Sequence, residues 1–156
     1  MNNILIETSM LKLMLKGKSI CLCLNSPSYK VGDVLGVKET YRIENGKYFY
    51  ACEENVKHGD YEIQNNPWCY ANSLPSNKIK RHVKITDLTI VSKDIFEELY
   101  KKYTVLYNKR MWIVSNDGNN NFETIYNTRT NNVNYNDKIY IYKLILDYWN
   151  SFIILK

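Results

Sequence analysis

The stretch that decides the fold reads Tyr29-Lys30-Val31-Gly32-Asp33-Val34-Leu35-Gly36-Val37-Lys38-Glu39-Thr40-Tyr41. Gly32 and Asp33 are turn formers, because glycine reaches positive φ angles freely and an aspartate side chain hydrogen-bonds to nearby backbone. The residues from Val34 to Tyr41 include β-branched and aromatic side chains, which fit a pleated, half-buried surface. The stretch therefore predicts a tight turn followed by a strong strand.

A β-hairpin is predicted directly after this strand. Glu44-Asn45-Gly46-Lys47 forms its turn, because Asn-Gly tolerates the positive φ angles of a type I′ turn, whose twist matches the flanking strands. Lys47 to Cys52 then returns antiparallel. Residues 53–77 are polar and predict irregular chain with Trp68 as an anchor.

The remaining elements are short. They are a strand over Ile4 to Ile6, a helix capped by Thr8 or Ser9 and ended at Gly17, a strand from Lys18 to Leu24, a strand from Lys78 to Thr86, a helix from Lys93 to Tyr103 capped by Ser92, paired strands over Met111 to Ser115 and Phe122 to Tyr126, and strands over Lys138 to Ile145 and Ser151 to Leu155. Asn119 to Asn136 is an asparagine-rich tract that predicts an exposed loop, and the role of the segment 116–137 is not assigned. Mostly strands with two short helices predict an α+β, mainly β fold. In one small domain spanning 1–156, a closed or nearly closed β-barrel is expected, because closure removes exposed strand edges.

Charge and cysteine content bound the function. The net charge of +5 allows attraction to phosphate backbones without demanding it. The four cysteines form no CxxC motif, and His58 and His82 stand at no metal-ligand spacing from them, so neither a metal nor a cofactor is expected. Cys21 and Cys23 alternate on one face of a strand and predict core positions. No leader or membrane-length apolar run is present, which predicts a cytoplasmic protein without membrane contact.

Three blocks, in order, resemble an ASCH-domain protein of the phage and bacterial type. Gly17-Lys18-Ser19 after the first helix resembles the family's "helix–Gly–Arg/Lys–Lys–Thr" element, and Tyr29 to Tyr41 is similar to "Y-x-V-G-D-x-L-x-V-R-E-T-W". The third block runs from Trp68 through Leu74-Pro75 to Lys84-Ile85-Thr86-Asp87-Leu88 and resembles "W-x-P-S-x-x-M-P-x-x-A-S-R-x-x-L-x-V-T-D-V". The resemblance is strongest over residues 3–92, and the C-terminal part diverges.

This resemblance implies a PUA-like β-barrel and a ligand that is RNA or a nucleotide. Some small family members are amidohydrolases acting on acetylated cytidine, with a lysine, a threonine two or three residues later and a glutamate elsewhere as the working groups. If this chain is an enzyme, Lys18 matches the lysine, Cys21 occupies the threonine position, and Glu39 is the carboxylate candidate. The strand reads Ser-Ile-Cys-Leu-Cys-Leu where the family reads Thr-x-Thr-x-Arg, which puts catalysis in doubt. Glu39 has a second interpretation, a structural ion pair with Lys38, Arg42 or another cation of the barrel.

The leading hypothesis is a nucleic-acid-binding or nucleotide-binding module. A cleft beside a PUA-like barrel needs cations for phosphate and an aromatic face for stacking. The candidate binding residues are Lys16, Lys18, Lys38, Arg42, Trp68, Lys78, Lys80, Arg81 and Lys84. Alternation along a strand places Lys78, Lys80 and Lys84 on one side, as a basic stripe or as an ordinary solvated face. A further alternative is a protein-interaction module, such as a phage factor acting in the host cytoplasm on a host protein.

Overall fold

The computed structural model describes residues 2–54, 68–100, 104–107, 110–115 and 138–147. The helices are α1 (Thr8–Leu15) and α2 (Lys93–Leu99), and the strands are β1 (Asn3–Leu5), β2 (Ser19–Leu24), β3 (Val34–Lys38), β4 (Tyr41–Glu44), β5 (Lys47–Tyr50), β6 (His82–Ser92), β7 (Thr104–Tyr107), β8 (Arg110–Ser115) and β9 (Lys138–Leu146). Short 3₁₀ turns span Ala51–Glu53, Ala71–Ser73 and Ser76–Lys78. A mainly β, α+β fold with two short helices is therefore confirmed across the described residues.

The chain divides into two compact units. The first contains residues 1–16, 34–83 and 146–156, and the second contains residues 17–33 and 84–145. The predicted organisation as one domain stays a prediction. Neither helix in the described parts of the chain is long and apolar enough to cross a bilayer.

In the first unit, β1 lies parallel to β3, with Ile4 opposite Val37. Val37 N also donates to Arg81 O at 2.9 Å, which brings the chain before β6 against β3. Gly36 allows a close approach here, because a Cβ would lie 2.9 Å from both Asn3 Oδ1 and Ile79 Cδ1 and would displace those side-chain ends. Strand β3 is thus held by backbone contacts on both sides, to β1 and to the chain before β6.

Helix α1 packs the buried side chains of Met10, Leu11 and Met14. The predicted N-cap, Thr8 or Ser9, is wrong. Glu7 occupies the N-cap position, and Thr8 is the first residue of the helix. The predicted end is confirmed, because Lys16 is the C-cap and Gly17 follows with a φ of 87°. Glycine takes that left-handed conformation without the steric cost that a Cβ imposes.

The predicted hairpin is present as β4 and β5, paired antiparallel from Tyr41 opposite Tyr50 to Glu44 opposite Lys47. Asn45 and Gly46 have φ angles of 53° and 78°. Both values are positive, as a type I′ turn requires. The local sequence therefore determines the position of this turn.

Two predicted strands have different limits in the structure. The strand predicted from Val34 to Tyr41 is interrupted at Glu39 and Thr40, because the Glu39 side chain turns into a buried ion pair and Tyr41 pairs with Cys69 outside β3. The strand predicted from Lys78 begins only at His82, because Pro75 starts a 3₁₀ turn in which Lys78 N donates to Pro75 O at 2.9 Å. Lys78 and Lys80 therefore do not lie on a strand, and strand alternation does not explain their placement.

In the second unit the strand order is β6-β9-β2-β8-β7. Strand β2 pairs antiparallel with β8 and with β9. The Gly32-Asp33 turn is confirmed: Gly32 has a φ of 99°, and Asp33 Oδ2 accepts from Lys30 N at 2.9 Å. Ser92 caps α2 as predicted, with its Oγ accepting from Ile95 N at 3.3 Å.

The second unit encloses an apolar core that includes Cys23. Its buried members are Cys23, Phe96, Met111, Ile113, Ile139 and Ile141, with Cys21, Val91 and Tyr100 packed against them. The prediction of a core position is confirmed for Cys23, while Cys21 is partly buried and packs against the same core. Helix α2 ends at Leu99 rather than Tyr103, and Ile95 and Leu99 are exposed, so Phe96 is the α2 residue that enters this core. The predictions for 116–137, Phe122 to Tyr126 and Ser151 to Leu155 lie outside the described residues.

Candidate functional site

A buried ion pair joins Glu39 and Arg81 in the first unit. Glu39 follows β3 and Arg81 precedes β6, and the backbone contact between these segments brings the two side chains together. Arg81 Nη1 donates to Glu39 Oε1 at 3.0 Å and to Oε2 at 2.9 Å. The two side chains are 8% and 1% exposed, and the Cys52 thiol also donates to Glu39 Oε1 at 3.1 Å. Glu39 thus has the structural ion pair that the sequence offered as one interpretation, with Arg81 as the cation.

The ion pair extends towards solvent through Glu53 and Lys80. Arg81 Nη2 donates to Glu53 Oε2, and Lys80 Nζ lies 2.7 Å from the same oxygen. Both cations lie over the ring of Tyr50, with Lys80 Nζ 5.6 Å and Arg81 Cζ 5.5 Å from its centroid. Glu39, Arg81, Glu53 and Lys80, which we call the charged cluster, carry two positive and two negative charges and balance to zero.

Burial and neighbouring charges act in opposite directions on the carboxylates of the charged cluster. Burial raises the pKa of Glu39, and the Arg81 charge opposes that increase. At Glu53 burial also acts to raise the pKa, but hydrogen bonds and charges from Lys80 and Arg81 outweigh it and the pKa is lowered. Burial, followed by the charge of Glu39, raises the pKa of the Tyr50 hydroxyl to about 12. At neutral pH Glu53 is therefore an anion and Tyr50 a neutral ring.

Three cations lie over two aromatic rings of β5. Lys78 Nζ lies 5.0 Å from the centroid of Tyr48, and Lys80 and Arg81 lie over Tyr50, two residues further along β5. We call these five residues the hairpin ladder. Residues two apart in a strand point to the same face and are separated by about 7 Å, so the two rings and the three cations that contact them lie on one face of β5.

A second aromatic contact lies at Arg42. Its Cζ is 4.3 Å from the centroid of Phe49 and 5.6 Å from that of Trp68. Arg42 also donates to Glu44 and, at 3.1 Å, to Glu54 Oε1. Its charge is therefore compensated by two carboxylates, which weakens its predicted role as a phosphate contact.

The other predicted cations of the first unit differ in how available they are. Lys38 Nζ donates to Leu74 O, and Arg81 is buried against carboxylates. Lys16 and Lys78 are exposed, and neither forms an ion pair with a carboxylate in the described part of the chain. Lys78 is thus the exposed cation that also lies over a ring.

The residues proposed for catalysis are divided between the units. Glu39 lies in the first unit, whereas Lys18 and Cys21 lie in the second, together with Lys84, which is exposed on β6. Burial raises the pKa of Cys21 to about 11, although the nearby Lys143 charge acts to lower it. A thiol with that pKa is protonated at neutral pH and is a poor nucleophile. The assignment of Lys18, Cys21 and Glu39 as catalytic residues, made for the case that the chain is an enzyme, stays a prediction.

Three residues of these two groups were not predicted from the sequence: Tyr48 and Tyr50 of the hairpin ladder, and Glu53 of the charged cluster. A signal was present in Lys47-Tyr48-Phe49-Tyr50, where alternation on a strand places Tyr48 and Tyr50 on one face. Glu53 carried no such signal, because it begins a polar segment. Among the described residues, no group of three or more His, Cys, Asp or Glu is arranged to hold a metal ion.

Comparison of the chain with protein families, curated proteins and solved structures finds no match.

Proposed function

We propose that this chain is an ASCH-type, PUA-like module that binds an unpaired nucleic-acid strand or a nucleotide, with RNA as the expected ligand in the cytoplasm. The observation that carries the proposal is the hairpin ladder, in which Lys78 lies over Tyr48 while Lys80 and Arg81 lie over Tyr50. Sequence-tolerant recognition of single strands combines aromatic rings for the bases with cations for the backbone. At the accessible end of the ladder, Lys78 supplies an exposed cation and Tyr48 a half-buried ring, whereas Tyr50 and Arg81 are buried.

Stacking is the larger expected contribution to binding at this surface. Tyr48 is half-buried and already stacks on Tyr41, with ring centroids 5.5 Å apart and an angle of 21° between the rings. The hydroxyl of Tyr41 is fixed by Ser73, at 2.9 Å from its Oγ. A ring held in this way loses little conformational entropy when a base stacks beside it, and each stacked base contributes about 1–3 kcal/mol.

Phosphate contacts are expected to be few, because carboxylates already neutralise most of the nearby cations. Arg42 is bound to Glu44 and Glu54, and Lys80 is bound to Glu53. Each phosphate contact to a single strand contributes a slope of about −0.7 in the logarithm of affinity against the logarithm of salt concentration. One or two contacts predict a shallow slope of about −1, unlike the steep dependence of a strongly basic nucleic-acid-binding surface.

The test measures the affinity of labelled short single-stranded RNA and DNA by fluorescence anisotropy at several salt concentrations. Lys78→Ala is expected to weaken binding about threefold to tenfold, because it removes both a cation and its position over the ring. Lys47→Ala is the matched control: Lys47 is an exposed lysine of the same hairpin, at the turn opposite Glu44. Absence of wild-type binding, or equal losses in the two variants, would contradict the proposal.

A further inference from the structure

The Glu53 carboxylate occupies a position that is built like an anion-binding site. It is held by Arg81 Nη2 and by Lys80 Nζ, which contacts Oε2 at 2.7 Å and Oε1 at 2.9 Å. The ring of Tyr50 lies against both cations. Two cations converging on one group of oxygens, above an apolar ring, also suit a phosphate.

Arg81 is fixed in this orientation before any ligand arrives. Its Nη1 is held by both oxygens of Glu39, and its side chain is 8% exposed. The second nitrogen, Nη2, points to Glu53. The planar guanidinium presents its donors in a fixed fork that matches carboxylate and phosphate geometry, so little ordering is needed on binding.

Glu53 is the displaceable member of the charged cluster. It lies at the end of the Ala51–Glu53 3₁₀ turn, and its side chain is 35% exposed, whereas Glu39 is 1% exposed. Removing the Glu53 charge leaves Arg81 and Lys80 against Glu39 alone, a net charge of +1. That imbalance favours an incoming anion at the same position.

We propose that Arg81 and Lys80 form a phosphate-binding subsite, which Glu53 occupies as an internal carboxylate when no ligand is bound. The inference rests on the proposed function, because the phosphate is that of a nucleotide whose base stacks near Tyr48. The spacing is suitable: Tyr48 and Tyr50 are two residues apart on β5, about 7 Å along one face. Glu53 thereby competes with the ligand and lowers its apparent affinity.

The test compares Glu53→Gln with wild type, using inorganic phosphate, a nucleoside 5′-monophosphate and a short single-stranded RNA as separate probes. Glutamine keeps the size of the side chain and removes its charge. We expect Glu53→Gln to bind inorganic phosphate about tenfold more tightly, as a charge-assisted site that has lost its competitor. Binding is measured by calorimetry, and by the rise in melting temperature in phosphate against chloride at equal ionic strength.

Glu44→Gln is the matched control, because it removes a carboxylate that pairs with an arginine of the same hairpin. A gain in phosphate affinity as large in Glu44→Gln would overturn the subsite, since overall charge would then explain both. Lys80→Met gives a second arm that does not depend on the folding of Glu53→Gln. Phosphate must raise the melting temperature of the wild type more than that of Lys80→Met, and equal shifts would overturn the proposal.

The three probes separate the subsite from the proposed function. If Glu53→Gln gains affinity for inorganic phosphate while no form of the protein binds RNA, the subsite stands and the proposed function fails. If wild type binds RNA and Glu53→Gln changes neither phosphate nor RNA binding, the proposed function stands and the subsite fails. If the gain is seen with the monophosphate and RNA but not with phosphate alone, the inference of a self-sufficient phosphate subsite is overturned.

Discussion

Both units bury apolar side chains, but the first unit also buries an ion pair. In the first unit Glu39 and Arg81 are buried as a hydrogen-bonded ion pair, with side chains 1% and 8% exposed. In the second unit, a buried cluster is apolar, and Cys23 packs in it with Phe96 and Met111. Apolar packing stabilises without needing specific partners, whereas a buried charge is tolerated only while its partner remains in place.

The contrast bears on where the proposed ligand would bind. A buried ion pair gains little net stability over a well-packed apolar pair, because desolvation offsets the attraction between the charges. The Glu39–Arg81 pair nevertheless orients Arg81 Nη2 towards Glu53 at the surface. In the second unit Cys23 lies in an apolar cluster, and burial raises the pKa of its thiol well above the usual range. The first unit therefore contains an oriented, partly exposed charge, and the cysteines of the second unit belong to an apolar cluster.

The largest expected effect is that of Glu39→Ala. This change leaves Arg81 buried opposite an empty position, and removing one partner of a buried pair typically costs about 3–5 kcal/mol. Urea denaturation followed by circular dichroism measures the loss in the free energy of unfolding. A loss below about 1 kcal/mol would show that water reaches Arg81 and that the pair is not a buried one.

A double variant tests the same contrast by removing both charges of the ion pair. Glu39→Met combined with Arg81→Met replaces the ion pair by apolar groups, and such replacements are often neutral or stabilising in total. The double variant is therefore expected to be more stable than Glu39→Ala. It is also expected to lose the phosphate response, because Nη2 of Arg81 is absent. Retention of that response would separate the ion pair from the proposed subsite.

The next largest effect concerns the thiol of Cys21 in the second unit. Burial raises its pKa from 9.0 to about 11. A difference of two pKa units reduces the thiolate fraction about a hundredfold at pH 8, and the thiolate is the reacting form. Alkylation resolved by peptide mass spectrometry should therefore be at least about a hundredfold slower at Cys21 in the folded chain than in urea. Equal rates would contradict a purely structural Cys21 and revive its assignment as a nucleophile.

A smaller effect is expected from placing a hydroxyl in the apolar core. Cys23 is 5% exposed among apolar neighbours, and Cys23→Ser buries a polar group there at a cost of about 1–3 kcal/mol. Cys23→Ala is the control, since it removes the sulfur without adding a hydroxyl. Cys23→Ser should be the less stable of the two in urea denaturation. The reverse order would indicate a hydrogen-bond acceptor at this position and weaken the contrast between the two interiors.

Features set by neighbouring residues were predictable from the sequence. The φ angles of Asn45 and Gly46, the end of α1 at Gly17 and the Ser92 cap all follow from rules that act within a few residues. The apolar cysteine face was predictable for the same reason, because alternation along one strand places Cys21 and Cys23 together.

The charged cluster was not predictable in the same way. Glu39 and Arg81 are 42 positions apart, and the contact between β3 and the chain before β6 brings them together. Alternation within a segment carries no information about which other segment lies beside it. Lys78 and Lys80 were assigned to a strand that starts only at His82, so a basic stripe was predicted where a turn presents the cations over the rings of β5.

The smallest expected effect, on the pH dependence of stability, concerns Glu53. Its pKa is lowered from 4.5 because the hydrogen bonds and charges of Lys80 and Arg81 outweigh burial. A depressed pKa in the folded state stabilises the fold above pH 4.5, and this stabilisation is lost as the pH falls through the lowered value. Because the side chain is about one-third exposed, solvent screening limits the contribution to a few tenths of a kcal/mol.

The measurement is the difference in the free energy of unfolding between wild type and Glu53→Gln, followed from pH 7 down to acid. The opposite contribution of Glu39, whose pKa burial raises, is present in both proteins and largely cancels in this difference. The advantage of wild type should be constant at neutral pH and shrink only below about pH 4.5, the ordinary glutamate value. An advantage that persists in acid would mean that Glu53 stabilises through packing rather than charge. In that case Glu53 would not be a carboxylate that competes for a phosphate site. The oriented charge of Arg81 in the first unit would then have no displaceable partner at the surface.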